Sequence, residues 1–344
     1  MLELELARRI AQHVPGAELI RIGMTGSEMV QAAVRVARAA TRRSRLVKFA
    51  GHYHGWFDNV LTNELTFQDD MPGILHAKAQ TEGQSATALA DTVVLPWNDL
   101  ELLHAYVARF GGETAALIME PVMCNTGVIA PTRGYLEGVR QLCSQHGIVL
   151  IIDEVITGFR LGLSGAQGTF QVTGDLAVFA KALGGGVPVA ALTGRRALLS
   201  RIGSGSVNHS GTYNSNVLAL SAAIATLDEL AVEQGAAYRR IDAIGQALME
   251  GIRRLANETG ANLVVQGYPS VFNTAFGDMS SITSLAAYRR CDEKRQQRFL
   301  AALIERGVRP TARGTWFVSA AHTSAELEPT LSAVRDALAA TISG

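Results

Sequence analysis

Leu2, Leu6, Ile10 and Val14 recur at helical spacing and stop at Pro15-Gly16, which predicts an amphipathic helix at the start of the chain. A short strand-like stretch, Leu19 to Ile22, follows. Compact apolar runs come next at Leu46 to Phe49, Thr92 to Leu95, Ala115 to Met119, Ile148 to Ile152, Leu176 to Phe179 and Val189 to Leu192. Most are separated by amphipathic stretches such as Tyr135 to His146. Buried strand-length runs alternating with helices predict an α/β fold around a mainly parallel sheet.

From Asn216 the pattern changes. An Ala-rich helical segment, Asn216 to Leu230, and a charged one, Tyr238 to Thr259, lead to strand-like pieces at Asn262 to Gln266, Val271 to Phe276 and Thr315 to Ser319. These surround a helical stretch from Ser284 to Arg306 and predict a smaller α+β domain. With the boundary set near residue 235, the large domain takes 1–235 and the C-terminal domain 236–344. A chain of 344 residues, 48% hydrophobic and 18% charged, can bury a core of that size and divide it in two.

Charge narrows the partners. Lys plus Arg equals Asp plus Glu at 31 each, so no whole-protein field draws the chain onto nucleic acid or anionic membrane, and small molecules are the expected partners. The start Met1-Leu2-Glu3-Leu4-Glu5 has no basic segment leading into an apolar one, and no apolar run approaches membrane-spanning length, so the expected location is cytoplasmic. Cys124, Cys143 and Cys291 are widely spaced with no CxxC pair, which predicts reduced thiols rather than a disulfide framework or a zinc site.

The stretch Val149-Leu150-Ile151-Ile152-Asp153-Glu154 reads as a buried strand ending abruptly in two carboxylates. Ligands of open α/β sheets bind beyond the carboxyl ends of strands, so Asp153 stands where a functional acid is expected. A second run, Asp175 to Ala180, ends in Lys181-Ala182-Leu183-Gly184-Gly185-Gly186, a lysine at a strand exit with glycines beside it. Alone, such an Asp caps a helix and such a Lys is solvated. As a pair they match a lysine that attacks an aldehyde and a carboxylate that keeps a pyridine nitrogen protonated.

Upstream, Leu19 to Ile22 runs into Gly23-Met24-Thr25-Gly26-Ser27-Glu28 and then a helical stretch from Met29 to Ala40. The backbone N–H groups and hydroxyls of such a helix start suit a phosphate, and Thr25 with Glu28 also fits an ordinary capping box. The aromatic turn Gly51-His52-Tyr53-His54-Gly55-Trp56 offers a ring for a cofactor to stack on. Its His-x-His has no further ligand at a metal-binding spacing, so no metal is expected.

Taken together these motifs resemble the class III, fold type I pyridoxal-phosphate aminotransferases, in the branch that holds glutamate-1-semialdehyde aminomutase and the β-amino-acid aminotransferases. The similarity runs through essentially the whole chain. It is densest in Thr25-Gly26-Ser27-Glu28, Gly51-His52-Tyr53-His54-Gly55, Glu120-Pro121, Asn125-Thr126-Gly127-Val128, Asp153 to Arg160, Lys181 to Gly186 and Gly211-Thr212-Tyr213-Asn214-Ser215-Asn216. The resemblance implies the fold type I architecture and pyridoxal 5'-phosphate as cofactor. Lys181 then looks like the Schiff-base lysine and proton shuttle, and Asp153 like the partner of the pyridine nitrogen. Thr25, Gly26 and Ser27 are implied at the phosphate, Tyr53 with His54 and Val155 at the ring, and Asn125 near the ring hydroxyl. Thr212 is similar to a threonine that reaches the phosphate of the neighbouring subunit, which implies a homodimer with interfacial sites.

Two features depart from the aminomutase pattern. Members of the family carry a substantial N-terminal portion before the helix that opens this sequence, so a truncated relative that binds cofactor without turnover is one reading. Near the end, Thr311-Ala312-Arg313-Gly314-Thr315-Trp316-Phe317 has glycine where the aminomutases carry a glutamate, and Arg313-Gly314 looks more like the β-amino-acid aminotransferases. Arg313 would grip a substrate carboxylate through paired N–H bonds. The expected activity is amino transfer from an amino acid, a β-amino acid included, to a keto acid, with intramolecular aminomutation as the alternative. A nucleotide-binding dehydrogenase is a poor fit, because Gly184-Gly185-Gly186 does not form the GxGxxG turn.

Overall fold

The structure, a computed structural model, describes residues 1–68 and 73–342, with nothing described of the Ile342 side chain. The last two residues of the anticipated 236–344 domain lie outside the described residues. The chain divides into two compact units, one of 1–121 and 131–229, the other of 122–130 and 230–344.

The first unit is built on a seven-stranded sheet. Its strands are β1 (Leu19–Gly23), β2 (Arg45–Phe49), β3 (Thr92–Leu95), β4 (Thr114–Met119), β5 (Val149–Glu154), β6 (Leu176–Phe179) and β7 (Ala190–Gly194), in the order β1-β7-β6-β5-β4-β2-β3. The pairings from β6 through β5, β4 and β2 to β3 are parallel, and only β7 runs against both of its neighbours. β3, β4, β5 and β6 are buried along their whole length, which is why they read as unbroken apolar runs rather than alternating ones.

Helices of this unit are α1 (Leu2–His13), α2 (Gly26–Thr41), α3 (Ala86–Leu89), α4 (Leu100–Phe110), α5 (Tyr135–His146), α6 (Gly165–Phe170), α7 (Arg196–Gly203) and the greater part of α8 (Val217–Ala231). α2 buries Met29, Val30, Ala32, Ala33, Val34, Val36 and Ala37 against Ile151, Leu176, Val178, Ala190 and Leu192 of the sheet. Alanine at three of those positions lets the helix sit close to the strands, so its first turn lies beside the exits of the central strands. Arg9 of α1 grips Asp228 of α8 through two parallel bonds, from Nε at 2.6 Å and from Nη2 at 2.9 Å.

The second unit has a three-stranded antiparallel sheet of β8 (Leu263–Tyr268), β9 (Val271–Phe276) and β10 (Thr315–Phe317), with β9 in the middle. The helices α9 (Ala236–Glu258), α10 (Leu285–Tyr288), α11 (Glu293–Glu305) and α12 (Leu327–Ile342) complete it. Phe272, Phe276, Phe299, Trp316, Ile252, Leu303, Val334 and Leu338 form its core. The segment Val122–Ala130 belongs here because Gln266 Nε2 donates to the Gly127 carbonyl at 2.8 Å.

The helical stretch expected across Ser284 to Arg306 is broken into α10 and α11. Asp292 breaks it: its backbone N–H is held by the Phe276 carbonyl at the end of β9, and its side chain caps α11 by accepting from Arg295 N at 2.9 Å. Among the described residues, no helix is long and apolar enough to cross a membrane.

Candidate active site

Asp153 and Lys181 leave adjacent parallel strands. Asp153 pairs with Val178 in the register of β5 and β6, and Lys181 stands just beyond the end of β6. The Asp153 carboxylate is almost wholly buried. One oxygen accepts from the Val155 N–H at 3.0 Å, and the other lies 2.7 Å from His54 Nδ1. Burial pushes its pKa up to about 7, while the Val155 bond and the positive charge of Lys181 pull the other way. The neighbouring Glu154 is engaged elsewhere, its buried carboxylate accepting from Thr157 Oγ1 at 2.6 Å, Ala166 N at 2.9 Å and Gln167 N at 2.8 Å. Of the two acids that end β5, Glu154 is thereby committed to fixing the loop that follows.

Lys181 opens a 3-10 turn, Lys181–Gly184, with φ of 45°, a left-handed conformation that costs a non-glycine residue about 1 kcal/mol or more. Its side chain is exposed, yet close enough to Asp153 to favour the ionised carboxylate. Such strain is kept where surrounding structure holds a side chain to a required direction.

The turn 51–56 crosses the start of α2. Gly55 has φ of +100°, and a Cβ built there would lie 2.4 Å from Ser27 Oγ and 2.9 Å from Ser27 Cα. Only glycine allows the two backbones to approach so closely. On the other side, a Cβ on Gly26 would meet Val155 Cγ2 at 2.8 Å. The α2 start, the aromatic turn and the residue after β5 therefore converge. Thr25 forms the anticipated capping box, with Glu28 N donating to its Oγ1 at 3.3 Å and its own N–H donating to Glu28 Oε2 at 2.9 Å. Its hydroxyl also donates to Glu28 at 3.0 Å, so that proton is spent on the cap. Gly26 and Ser27 keep the N–H groups that a helix start leaves without an intrahelical acceptor.

His54 is buried, and burial together with the Lys48 charge drives its pKa well below the usual imidazole value. A neutral ring with its proton on Nδ1 donates to the ionised Asp153. Tyr53 is 38% exposed, and its N–H donates to Glu120 Oε1 at 2.7 Å. Lys48, Glu120 and His52, to which the sequence motifs gave no role, support this turn from below. Lys48 Nζ donates to the His52 carbonyl at 3.1 Å, and Glu120 N donates to His52 Nδ1 at 2.9 Å. The signal was present: a lysine inside the apolar run Leu46 to Phe49 has no place in a buried strand unless it is paired.

Thr25, Gly26, Ser27, Tyr53, His54, Asp153, Val155 and Lys181 all belong to the first unit. So does Thr212, on an exposed turn, and among the described residues no hydrogen bond joins it to the others. Asn125 and Arg313 belong to the second unit and meet there, Arg313 Nη1 donating to the Asn125 carbonyl at 3.2 Å. Gly314 has φ of +77°, and a Cβ on it would lie 2.4 Å from both the Thr274 carbonyl oxygen and Gln296 Nε2. No glutamate fits there without moving backbone.

Known proteins share this fold. The profile of the class-III aminotransferases matches residues 2–318. A glutamate-1-semialdehyde 2,1-aminomutase of Thermomicrobium roseum is 41% identical over 98% of this chain and 77% of its own length. The crystal structure of an omega-transaminase from Sphaerobacter thermophilus superposes with a TM-score of 0.90 at 29% identity, covering 99% of this chain and 78% of that one. A solved transaminase with pyridoxal phosphate bound gives 0.87 at 28% identity, over 99% and 78% of the two chains. With strand-exit Asp153 and Lys181 in a sheet of this order, the chain belongs to the class-III aminotransferases and has their fold type I architecture.

Proposed function

We propose that this enzyme transfers an amino group from an amino acid, β-amino acids included, to a keto acid with pyridoxal 5'-phosphate. The observation that carries the reading is the buried Asp153 carboxylate, braced by His54 and Val155 N–H, near Lys181, which follows the adjoining strand. The residues present suit the cofactor. A buried acid awaits a cationic partner, a helix start with unspent N–H groups suits a phosphate, and a turn pressed onto that helix through Gly55 leaves Tyr53 partly open. Bound there, pyridoxal phosphate supplies an electron sink for the pair left behind when a substrate C–H bond breaks.

Each side chain then has its own part in the reaction. Lys181 Nζ would hold the cofactor covalently and, as a free amine beside the substrate carbon, would take the proton there and return it one position along. Asp153 holds the proton on the pyridine nitrogen, and His54 Nδ1–H keeps the carboxylate ionised and aimed. Gly26 and Ser27 would hold the phosphate through backbone N–H groups, with Tyr53 and Val155 placed to pack on the two faces of the ring. Asn125 is assigned to the ring hydroxyl and Arg313, which has further N–H groups beyond the one given to Asn125, to the substrate carboxylate. Thr212 is assigned to the cofactor phosphate of a second subunit. Tyr213, Val217 and Leu218 beside it are 68%, 63% and 77% exposed, an apolar group that a homodimer interface would cover.

The test is a half-reaction screen. The protein with cofactor is mixed with α- and β-amino acids, and the visible absorption of the cofactor is followed; the band is expected to fall with a β-amino acid and return with a keto acid. No change with any amino donor would sink the reading. Intramolecular aminomutation is the second reading, favoured by the 41% identity with the Thermomicrobium roseum aminomutase. It is marked by conversion of an amino-aldehyde with no second substrate.

A further inference from the structure

Lys48 is the fourth of the five residues of β2, is 1% exposed, and has no part in the proposed chemistry. An amine so deeply placed must be paired or it costs several kcal/mol. Its three donors are met by the carbonyls of His52, at 3.1 Å, and Thr62, and by Asn63 Oδ1 at 3.4 Å. Asn63 Oδ1 accepts also from Gly51 N at 3.0 Å, so the lysine and the asparagine hold the same turn.

The bond to His52 has a particular geometry. The His52 carbonyl and the Tyr53 N–H belong to one peptide group, which is planar and rigid. Lys48 holds its oxygen from one side, and Glu120 Oε1 holds its N–H at 2.7 Å from the other. An amine donor at the C=O and a carboxylate at the N–H both lie along the peptide dipole in its favourable sense. Glu120 N at 2.9 Å on His52 Nδ1 stops that ring from rotating. Tyr53 follows immediately, and then His54, whose Nδ1 meets Asp153.

We propose that Lys48 is a positioning residue of the active site: with Glu120 it clamps the 52–53 peptide, and so sets Tyr53 against the ring face and His54 against Asp153. This rests on the functional reading above. It adds to it a buried amine that never touches substrate or cofactor and yet governs how fast the proton moves. Loss of the clamp lets the turn sample other orientations. The donor should then bind nearly as well while the proton-transfer step slows, since displacing His54 weakens the hold of Asp153 on the pyridine nitrogen.

Lys48→Met keeps the aliphatic stem and removes every donor. Two measurements decide. In cofactor-free protein, amide hydrogen exchange over 51–54 is expected to rise about tenfold or more while exchange in β4 and β5 stays at the wild-type level. In the loaded enzyme, kcat of the half-reaction is expected to fall about tenfold or more with KM for the amino donor held within about threefold. Asn63→Ala removes the second hold on the turn from a half-buried site. It should move both quantities the same way by less, and it carries the decision if Lys48→Met does not fold. Faster exchange with unchanged kcat would make Lys48 a purely structural residue and overturn the proposal, as would wild-type values of both. A wild-type protein that takes up no cofactor would instead overturn the functional reading. The positioning role would fall with it, but exchange in the variants would still decide whether Lys48 clamps the turn.

Discussion

His54 Nδ1 lies 2.7 Å from Asp153 Oδ2, both side chains buried, joining the turn after β2 to the end of β5 across β4. Burial drives both groups toward their neutral forms, the imidazole to well below its ordinary pKa and the carboxyl up to about 7. A cation at the site reverses the balance for the acid, because an opposite charge within a few ångströms restores the ionised form. The protonated ring nitrogen of the proposed cofactor would be such a cation.

In the cofactor-free protein this makes Asp153 a source of pH-dependent stability. A carboxyl whose folded pKa stands above its unfolded value of 3.8 contributes stability below that value, and the contribution is lost as pH rises through about 7. Asp153→Asn cannot titrate. The wild type is expected to lose melting temperature relative to this variant between pH 4 and 7, measured by thermal melts of the two proteins side by side. Parallel curves would mean that Asp153 is already ionised without cofactor. With cofactor, the same variant should retain binding but slow the half-reaction about a hundredfold, since a neutral amide cannot hold the pyridine nitrogen protonated.

Lys181→Ala tests the covalent attachment. Borohydride reduction followed by peptide mass mapping should find the cofactor fixed to Lys181 in the wild type and to no residue in the variant. Because Lys181 adopts φ of 45°, a left-handed conformation disfavoured by any residue with a Cβ, alanine neither relieves nor adds backbone strain and the variant should fold. A persisting adduct at Lys48 or Lys78 would move the reactive amine elsewhere.

Gly55→Ala addresses the contact between the turn and α2. The added methyl would meet Ser27 Oγ at 2.4 Å and Ser27 Cα at 2.9 Å, at a φ of +100°. Either the turn lifts or the first turn of α2 moves, and both change the place assigned to the phosphate. A loss of about 1–3 kcal/mol in stability is expected. Cofactor affinity, read by fluorescence titration, should fall about tenfold or more while Lys181 remains reducible at saturating cofactor. Wild-type affinity would place the phosphate away from Ser27.

Much of this fold was legible because buried parallel strands write themselves as apolar runs, and β3 and β9 have the limits that their hydrophobic stretches gave. Asp153 and Lys181 stood out because a charge at the end of such a run breaks the pattern visibly. The break between α10 and α11 was hidden, since Asp292 is held by Phe276, a partner sixteen positions earlier that periodicity does not register. Lys48 broke its apolar run visibly, but what it pairs with was hidden for a similar reason. Its meaning lies in the carbonyls of His52 and Thr62, and backbone acceptors have no sequence signature. The grouping of Val122–Ala130 with the second unit likewise depends on Gln266, far along the chain.

Gly314 is the position where the sequence was expected to depart from the aminomutases, which by that resemblance have glutamate there; it has φ of +77° with the Thr274 carbonyl oxygen 2.4 Å from any Cβ. The turn is closed on both sides, Gly314 N donating to the Thr311 carbonyl and the Gly314 carbonyl accepting from Thr274 N, both at 2.9 Å. Gly314→Glu must therefore shift β9, β10 or the turn between Thr311 and Thr315. Destabilisation of about 2 kcal/mol or more is expected, without any gain of aminomutase turnover. Chemical denaturation together with an amino-aldehyde conversion assay checks both. A variant as stable as the wild type, converting the amino-aldehyde with no second substrate, would show that the turn accepts a carboxylate. The intramolecular reaction would then become the better reading of this enzyme.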